Sequence, residues 1–130
     1  MPDTRNRRFP LNFLIGLFLV CLIPSGIESA YAQTQHELNQ QAEAEAADAD
    51  KQLNAAYKKL VAALDDEGKA LLRSSQRAWI LYRDAEAKFA GAAMRGGSAE
   101  ALLYFGTIAR LTLDRTQNLK EALEAYGAGQ

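Results

Sequence analysis

Residues 40–64 read QQAEAEAADADKQLNAAYKKLVAAL. The stretch holds no proline, no glycine and a single β-branched residue, Val61. Nearly everything else in it is a strong helix former. Leu53, Tyr57, Leu60 and Leu64 recur at spacings of 4, 3 and 4, which places their side chains on one face of a helix. The first half, 40–50, has only alanines to bury among Gln, Glu and Asp. That half either projects into solvent or covers a groove of small residues.

The same character runs to the C-terminus. Residues 33–130 contain no proline and 22 alanines, and their β-branched residues are Val61, Ile80, Ile108 and four threonines. Proline is the residue a helix interior tolerates least, and no segment alternates apolar and polar side chains over strand length. The chain reads as all-α. Asp65-Asp66-Glu67-Gly68 makes one break, with acidic residues suited to a helix N-terminus. Gly91 to Ser98 makes the other, where glycines end one helix and Ser98 is placed to cap the next. Three helices follow, at about 36–64, 69–90 and 99–126. The second is expected to bury the row Leu72, Ser75, Trp79, Tyr82, Glu86 and Phe89, with Leu71 and Ala78 beside it. The third is expected to bury Leu102, Phe105, Ile108, Ala109, Thr112, Thr116, Leu119, Leu123 and Tyr126. Short joins make neighbouring helices antiparallel, so the expected architecture is an up-down-up three-helix bundle with a long first helix. Counting back from each turn sets Leu53 near Trp79, Asp50 near Arg83, Trp79 near Arg110 and Arg83 near Gly106. A bulky side chain of the second helix lying over Gly106 would explain that mid-helix glycine.

Residues 1–32 have the three parts of a cleavable signal peptide. Arg5, Arg7 and Arg8 form a positive head, 11–23 an apolar run, and Ala30-Tyr31-Ala32 a small-residue cleavage site after the helix-breaking Pro24-Ser25-Gly26. The apolar run spans only about 20 Å as a helix, short of a hydrocarbon core of about 30 Å. No stable membrane insertion is expected after cleavage. Cys21 lies inside the apolar run and follows Val20, unlike a lipoprotein cysteine. The mature chain is then one domain, 33–130, exported to a periplasm or beyond, without cysteine and therefore without disulfides.

Composition narrows the chemistry. With 15 Lys+Arg, 16 Asp+Glu and a pI near 5.8, the chain lacks the basic face of a nucleic-acid binder. His36 is the only histidine, which leaves no plausible transition-metal set and no Cys-His or Ser-His-Asp arrangement. Gly96-Gly97 follows no strand and precedes no P-loop lysine. No catalytic residue, metal or cofactor is expected, and the chain reads as a binding protein rather than an enzyme. Glu86 reads as a boundary residue whose carboxylate reaches solvent. Trp79, flanked by Arg77 and Arg83, is either an exposed anchor or the centre of the core, and its place on the apolar row favours the core. Arg110, Asp114 and Arg115 read as structural pairs.

Leu53-Asn54-x-x-Tyr57, then Gln76-Arg77-x-Trp79-x-x-Tyr82-Arg83-Asp84, then Gly96-Gly97-Ser98, then Leu111-Thr112-x-x-Arg115-x-x-x-Leu119 resemble the LprI-type lysozyme-inhibitor N-terminal domain, a family of small exported helical domains. The resemblance makes Asn54, Tyr57, Gln76, Trp79, Tyr82, Arg83, Asp84 and Arg115 a structural motif. Similar members carry cysteines where this chain has Ala87 and Thr107, with Gln41 standing for a third. Loss of that bridge between the second and third helices removes about 2–4 kcal/mol of stabilisation.

The resemblance also implies a protein partner, a lysozyme, whose basic surface and two-carboxylate cleft call for complementary charge and a protrusion. Glu43, Glu45 and Asp48 of the first helix are candidates for the charge, and Arg95, Gly96 and Gly97 in the second turn for the protrusion. The alternative is a structural or interaction protein of the cell envelope without inhibitory activity, self-associating through the first helix.

Overall fold

A computed structural model of the chain describes residues 26–128. They form three helices: α1 at Gly26–Ala63, α2 at Asp66–Ala92 and α3 at Glu100–Ala128, with no strand among the described residues. The chain is all-α, in the expected up-down-up order with the longest helix first.

The first 25 residues, with Cys21 and the positive and apolar parts of the leader, lie outside the described residues. Helix α1 starts ten residues before the expected His36 and runs without a break through Ala30-Tyr31-Ala32. That segment holds no proline, and Gly26, its poorest helix former, sits at the first position. Beyond it, Thr34, His36, Glu37 and Leu38 are exposed.

The α1–α2 turn follows expectation. Asp65 is the N-cap of α2, its Oδ1 accepting from the Gly68 N–H at 2.8 Å, and Asp66 and Glu67 face the positive end of the helix.

Helices α1 and α3 make the closest seam, α2 packs less closely on α3, and the backbones of α1 and α2 stay apart. Small residues set the order. Ala42, Ala46, Ala49, Leu53, Ala56, Leu60 and Leu64 are all buried, a continuous stripe down α1. The alanine-rich half therefore covers a groove. Ala46 packs with Ile108 and Ala109 of α3 and with Ala87 of α2. At the other end Leu53, Ala56, Leu60, Leu64 and Leu119 form the leucine core, with Tyr57, Leu72, Trp79 and Leu123 against it. In α3, Ile108, Ala109, Thr112, Thr116 and Leu119 are buried as expected, joined by Leu111. Tyr126, expected inside, is 53% exposed. It lies in the last turns of α3, past the leucine core.

Helix α2 departs most from expectation. Its fully buried residues are Ala87 and Gly91. Tyr82 and Phe89, assigned to its core face, are 54% and 76% exposed, and Ser75 is exposed too, as are Leu71 and Ala78, expected beside that face. The buried face is rotated toward Leu72, Gln76, Trp79, Arg83 and Ala87. Close approach to α3 explains the rotation: a Cβ on Gly91 would sit 3.3 Å from the backbone oxygen of Glu100. At this end the helix turns Ala87 and Gly91 to its neighbour, and Phe89 is left outside. Trp79 ends half-buried, packed on the leucine core rather than sealed within it.

The α2–α3 pairing is also displaced. Arg83 faces Thr112, not Gly106, and Arg110 is exposed and paired with Asp114 rather than near Trp79. Helix α2 persists to Ala92 and α3 starts at Glu100, so the turn's centre lies later in sequence than expected. Each residue of such a shift moves the opposing position by two. Gly106 is exposed, and a Cβ added to it would meet nothing within 4 Å, so no bulky neighbour accounts for this glycine.

Candidate functional site

The motif residues divide into those that hold the bundle and those that do not. Arg83 is the main tie. Its Nη1 lies 2.9 Å from Asp50 Oδ1 on α1, as expected, and 3.4 Å from Thr112 Oγ1 on α3. Its Nη2 and Nε reach Asp84 Oδ1 at 2.9 and 3.0 Å, and its guanidinium lies 5.3 Å from the Trp79 ring centroid. One side chain, 14% exposed, thus touches all three helices, with two carboxylates balancing its charge. Thr112 is fully buried, and its carbonyl accepts from the Thr116 hydroxyl at 2.8 Å.

Arg115 is the second tie between α3 and α2. Its Nε donates to Gln76 Oε1 at 3.1 Å and its Nη2 to Ser75 Oγ at 3.0 Å. No carboxylate pairs with it among the described residues, and burial lowers its pKa from the ordinary arginine value. The group stays charged at any working pH. Tyr57 packs on the leucine core. Asn54 and Tyr82 remain exposed.

The second neighbourhood is the turn at 93–99. Gly96 has φ of 75°, a left-handed conformation that favours glycine. Its N–H donates to Glu100 Oε2 at 2.8 Å, and the Gly97 N–H donates to the Met94 carbonyl at 2.8 Å. Ser98, expected to cap α3 with its hydroxyl, instead offers its carbonyl to Asn39 Nδ2 at 2.9 Å. Glu100 secures this end of α3 by reaching back to Gly96. The turn is therefore braced from α1 and α3 while Met94, Arg95, Gly96, Gly97 and Ser98 stay exposed. Beside it opens a groove of about 700 Å³, lined among others by Asn39, Lys88, Arg95, Glu100, Tyr104 and Phe105. The last two rings meet edge to face at 5.1 Å.

Glu43, Glu45 and Asp48 are exposed on α1, beginning one turn beyond Asn39, so the acidic segment and the turn occupy one end of the bundle. They do not form one patch. Glu43 and Asp48 are five residues apart, about 140° around the helix. Glu43 shares the flank of Asn39, whereas Asp48 points away and pairs with Lys51 at 2.7 Å. Glu45 accepts from Gln41 at 2.9 Å. Sequence spacing places these residues on one helix but does not say which flank is occupied. Sequence reasoning misses Asn39 as the brace, because nothing local links it to a turn 59 residues away.

Among the described residues no group of three His, Cys, Asp or Glu side chains is gathered as a metal set, and no helix is long and apolar enough to cross a membrane. His36 contacts Gln40 on its own helix.

The sequence profile of the family "Lysozyme inhibitor LprI" matches residues 27–119, from the first turn of α1 to the last buried leucine of α3. The chain belongs to the LprI lysozyme-inhibitor family. A similar protein is an uncharacterized one of Rhizobium meliloti (strain 1021), 36% identical over 129 aligned positions covering 85% of this chain and 93% of that protein. No solved structure matches significantly. The family is one of inhibitors rather than enzymes, and it points to a protein partner.

Proposed function

We propose that this LprI-family chain is exported after removal of residues 1–32 and binds a lysozyme, occluding its cleft with the turn at 93–99. The observation that carries the reading is the bracing of that turn. Bonds from Asn39, Glu100 and Met94 hold it before any partner arrives, so little conformational freedom is lost on binding. Arg95, exposed at the tip, is the group suited to the two carboxylates of a glycosidase cleft. Glu43, on the adjoining flank of α1, meets a basic rim. The formal charge of 33–130, 12 basic against 14 acidic residues, gives only mild steering.

The test is lysozyme-driven clearance of cell walls in the presence of the protein purified as exported. Slowed clearance that weakens at least tenfold with Arg95→Glu supports the reading. Undiminished clearance at large molar excess over several lysozyme types overturns it. An N-terminus other than Gln33 in the exported protein overturns the processing site alone.

A further inference from the structure

The start of α2 and the end of α3 lie over the leucine end of α1 and leave a trough of about 250 Å³. Leu60, Leu64, Leu72, Leu119 and Ala122 line it. Leu71 and Tyr126 line it too, yet stay 65% and 53% exposed, so part of its apolar wall stands in water. The trough takes in 68–75 of α2 and 115–126 of α3, a length of about 10–16 Å at the rise of a helix.

At the end nearer the middle of the bundle the lining includes Arg115. This side chain is half-buried and held in place, its Nε donating to Gln76 and its Nη2 to Ser75. Both partners are neutral. Among the described residues no carboxylate balances the cation, and Nη1 has no partner. Three of the five N–H donors remain, two on Nη1 and one on Nη2, enough for a bidentate carboxylate. Arg83, also half-buried, differs in having two carboxylates to itself. The trough has no acidic side chain in its lining. The groove beside the 93–99 turn, by contrast, sets Glu100 with Lys88 and Arg95, and the groove at Lys59 and Lys120 contains Glu124. A cation partly withdrawn from water without a counter-charge favours an anion from outside.

We propose that this trough binds a free, single-chain aliphatic carboxylate, its head on Arg115 and its tail along the leucines toward Tyr126. At about 1.2 Å per bond of an extended chain, the length holds about eight to thirteen carbons. One cation calls for a head with one negative charge. So small a volume takes one chain, which sets a free acid above a two-chain membrane lipid. Concave, mostly apolar sites between helices with a single fixed polar group are where such ligands bind. The tail would also cover the exposed faces of Leu71 and Tyr126.

Isothermal titration of the protein purified as exported with decanoate, decanol and decylammonium tests the proposal. Decanoate is expected to bind one molecule per chain, with a dissociation constant on the order of 10–100 µM. Decanol should bind at least tenfold more weakly, and decylammonium more weakly still. Octanoate should lose about tenfold against decanoate, since two methylenes fewer leave water. Arg115→Gln should bring decanoate down to the level of decanol. Because Arg115 also ties α3 to α2, a second variant leaves it in place. Asn118→Trp, at an exposed position lining the trough, should block the tail and weaken decanoate at least tenfold with unchanged helical circular dichroism. No decanoate binding up to about 1 mM overturns the proposal. So does decanol binding as tightly as decanoate, or decanoate binding indifferent to Asn118→Trp. Loss of lysozyme inhibition in Asn118→Trp, with no decanoate bound by the parent protein, overturns it and assigns the trough to the inhibited enzyme. Cell-wall clearance by the parent protein is decided separately, because the trough adjoins the α1–α2 turn and the 93–99 turn lies at the other end of the bundle.

Discussion

The seam between α1 and α3 and the attachment of α2 use opposite means to hold helices together. The seam is built from alanines and leucines with almost no polar atoms, and its strength is packing at short range. Helix α2 rests Leu72 and Trp79 on the leucine core, fully buries only Ala87 and Gly91, and is tied by long side chains, Arg83 to Asp50 and Thr112 and Arg115 to Gln76 and Ser75. Packing of small residues is strong and insensitive to which polar groups flank it. A helix hung on two arginines is more easily detached, and it retains an apolar face that the bundle does not use.

Substitutions can break or sharpen that contrast. Leu60→Ala removes a core leucine that is 2% exposed and should cost about 3 kcal/mol, a fall in Tm of roughly 12–24 °C for a domain of this size, read by thermal circular dichroism. Arg83→Ala leaves Asp50 and the buried Thr112 hydroxyl without their shared donor and should cost about 2 kcal/mol. A double-mutant cycle with Asp50→Ala should recover about 1 kcal/mol of that as coupling. Zero coupling would mean that α2 is held by packing after all.

Two glycines give a matched pair of opposite sign. Gly91→Ala presses a Cβ toward the Glu100 carbonyl and should destabilise by about 1 kcal/mol despite alanine's better helix propensity. Gly106→Ala meets nothing and should stabilise by about 0.5–1 kcal/mol, visible as a higher urea midpoint. If Gly106→Ala destabilises, a close neighbour exists there after all. The smallest effect is expected on the exposed apolar side of α2: Leu81, 73% exposed, should on replacement by Gln change stability by no more than about 0.5 kcal/mol, read from the urea midpoint.

Much of this is legible in the residues. Helix type follows from the proline-free, alanine-rich chain. Leu53, Leu60 and Leu64 lie on the core stripe because their spacing allows no other common face, and the Asp50–Arg83 pair follows from a short, well-signalled turn. The second turn is less legible. Gly91, Gly96 and Gly97 all look like helix stops, and the choice among them moves every opposing residue on α3, so counting sets Arg83 against Gly106 rather than Thr112. The core face of α2 is partly misplaced by the sequence: Leu72 and Trp79 face the leucine core as expected, but Tyr82 and Phe89 do not point inward. The brace from Asn39 has no local signal at all, whereas the split of Glu43 and Asp48 between two flanks is readable from their five-residue spacing.

Sequence by itself determined that this chain is helical, where its helices begin and end to within a few residues at the inner turns, and which stripe of the leucine half of α1 is buried, because backbone propensity and side-chain periodicity are local properties. Only the tertiary structure decided which way α2 faces, since that depends on how near α3 comes. Near approach selects Ala87 and Gly91 for the inside and leaves Tyr82 and Phe89 in water, a choice that no single helix can make from its own residues.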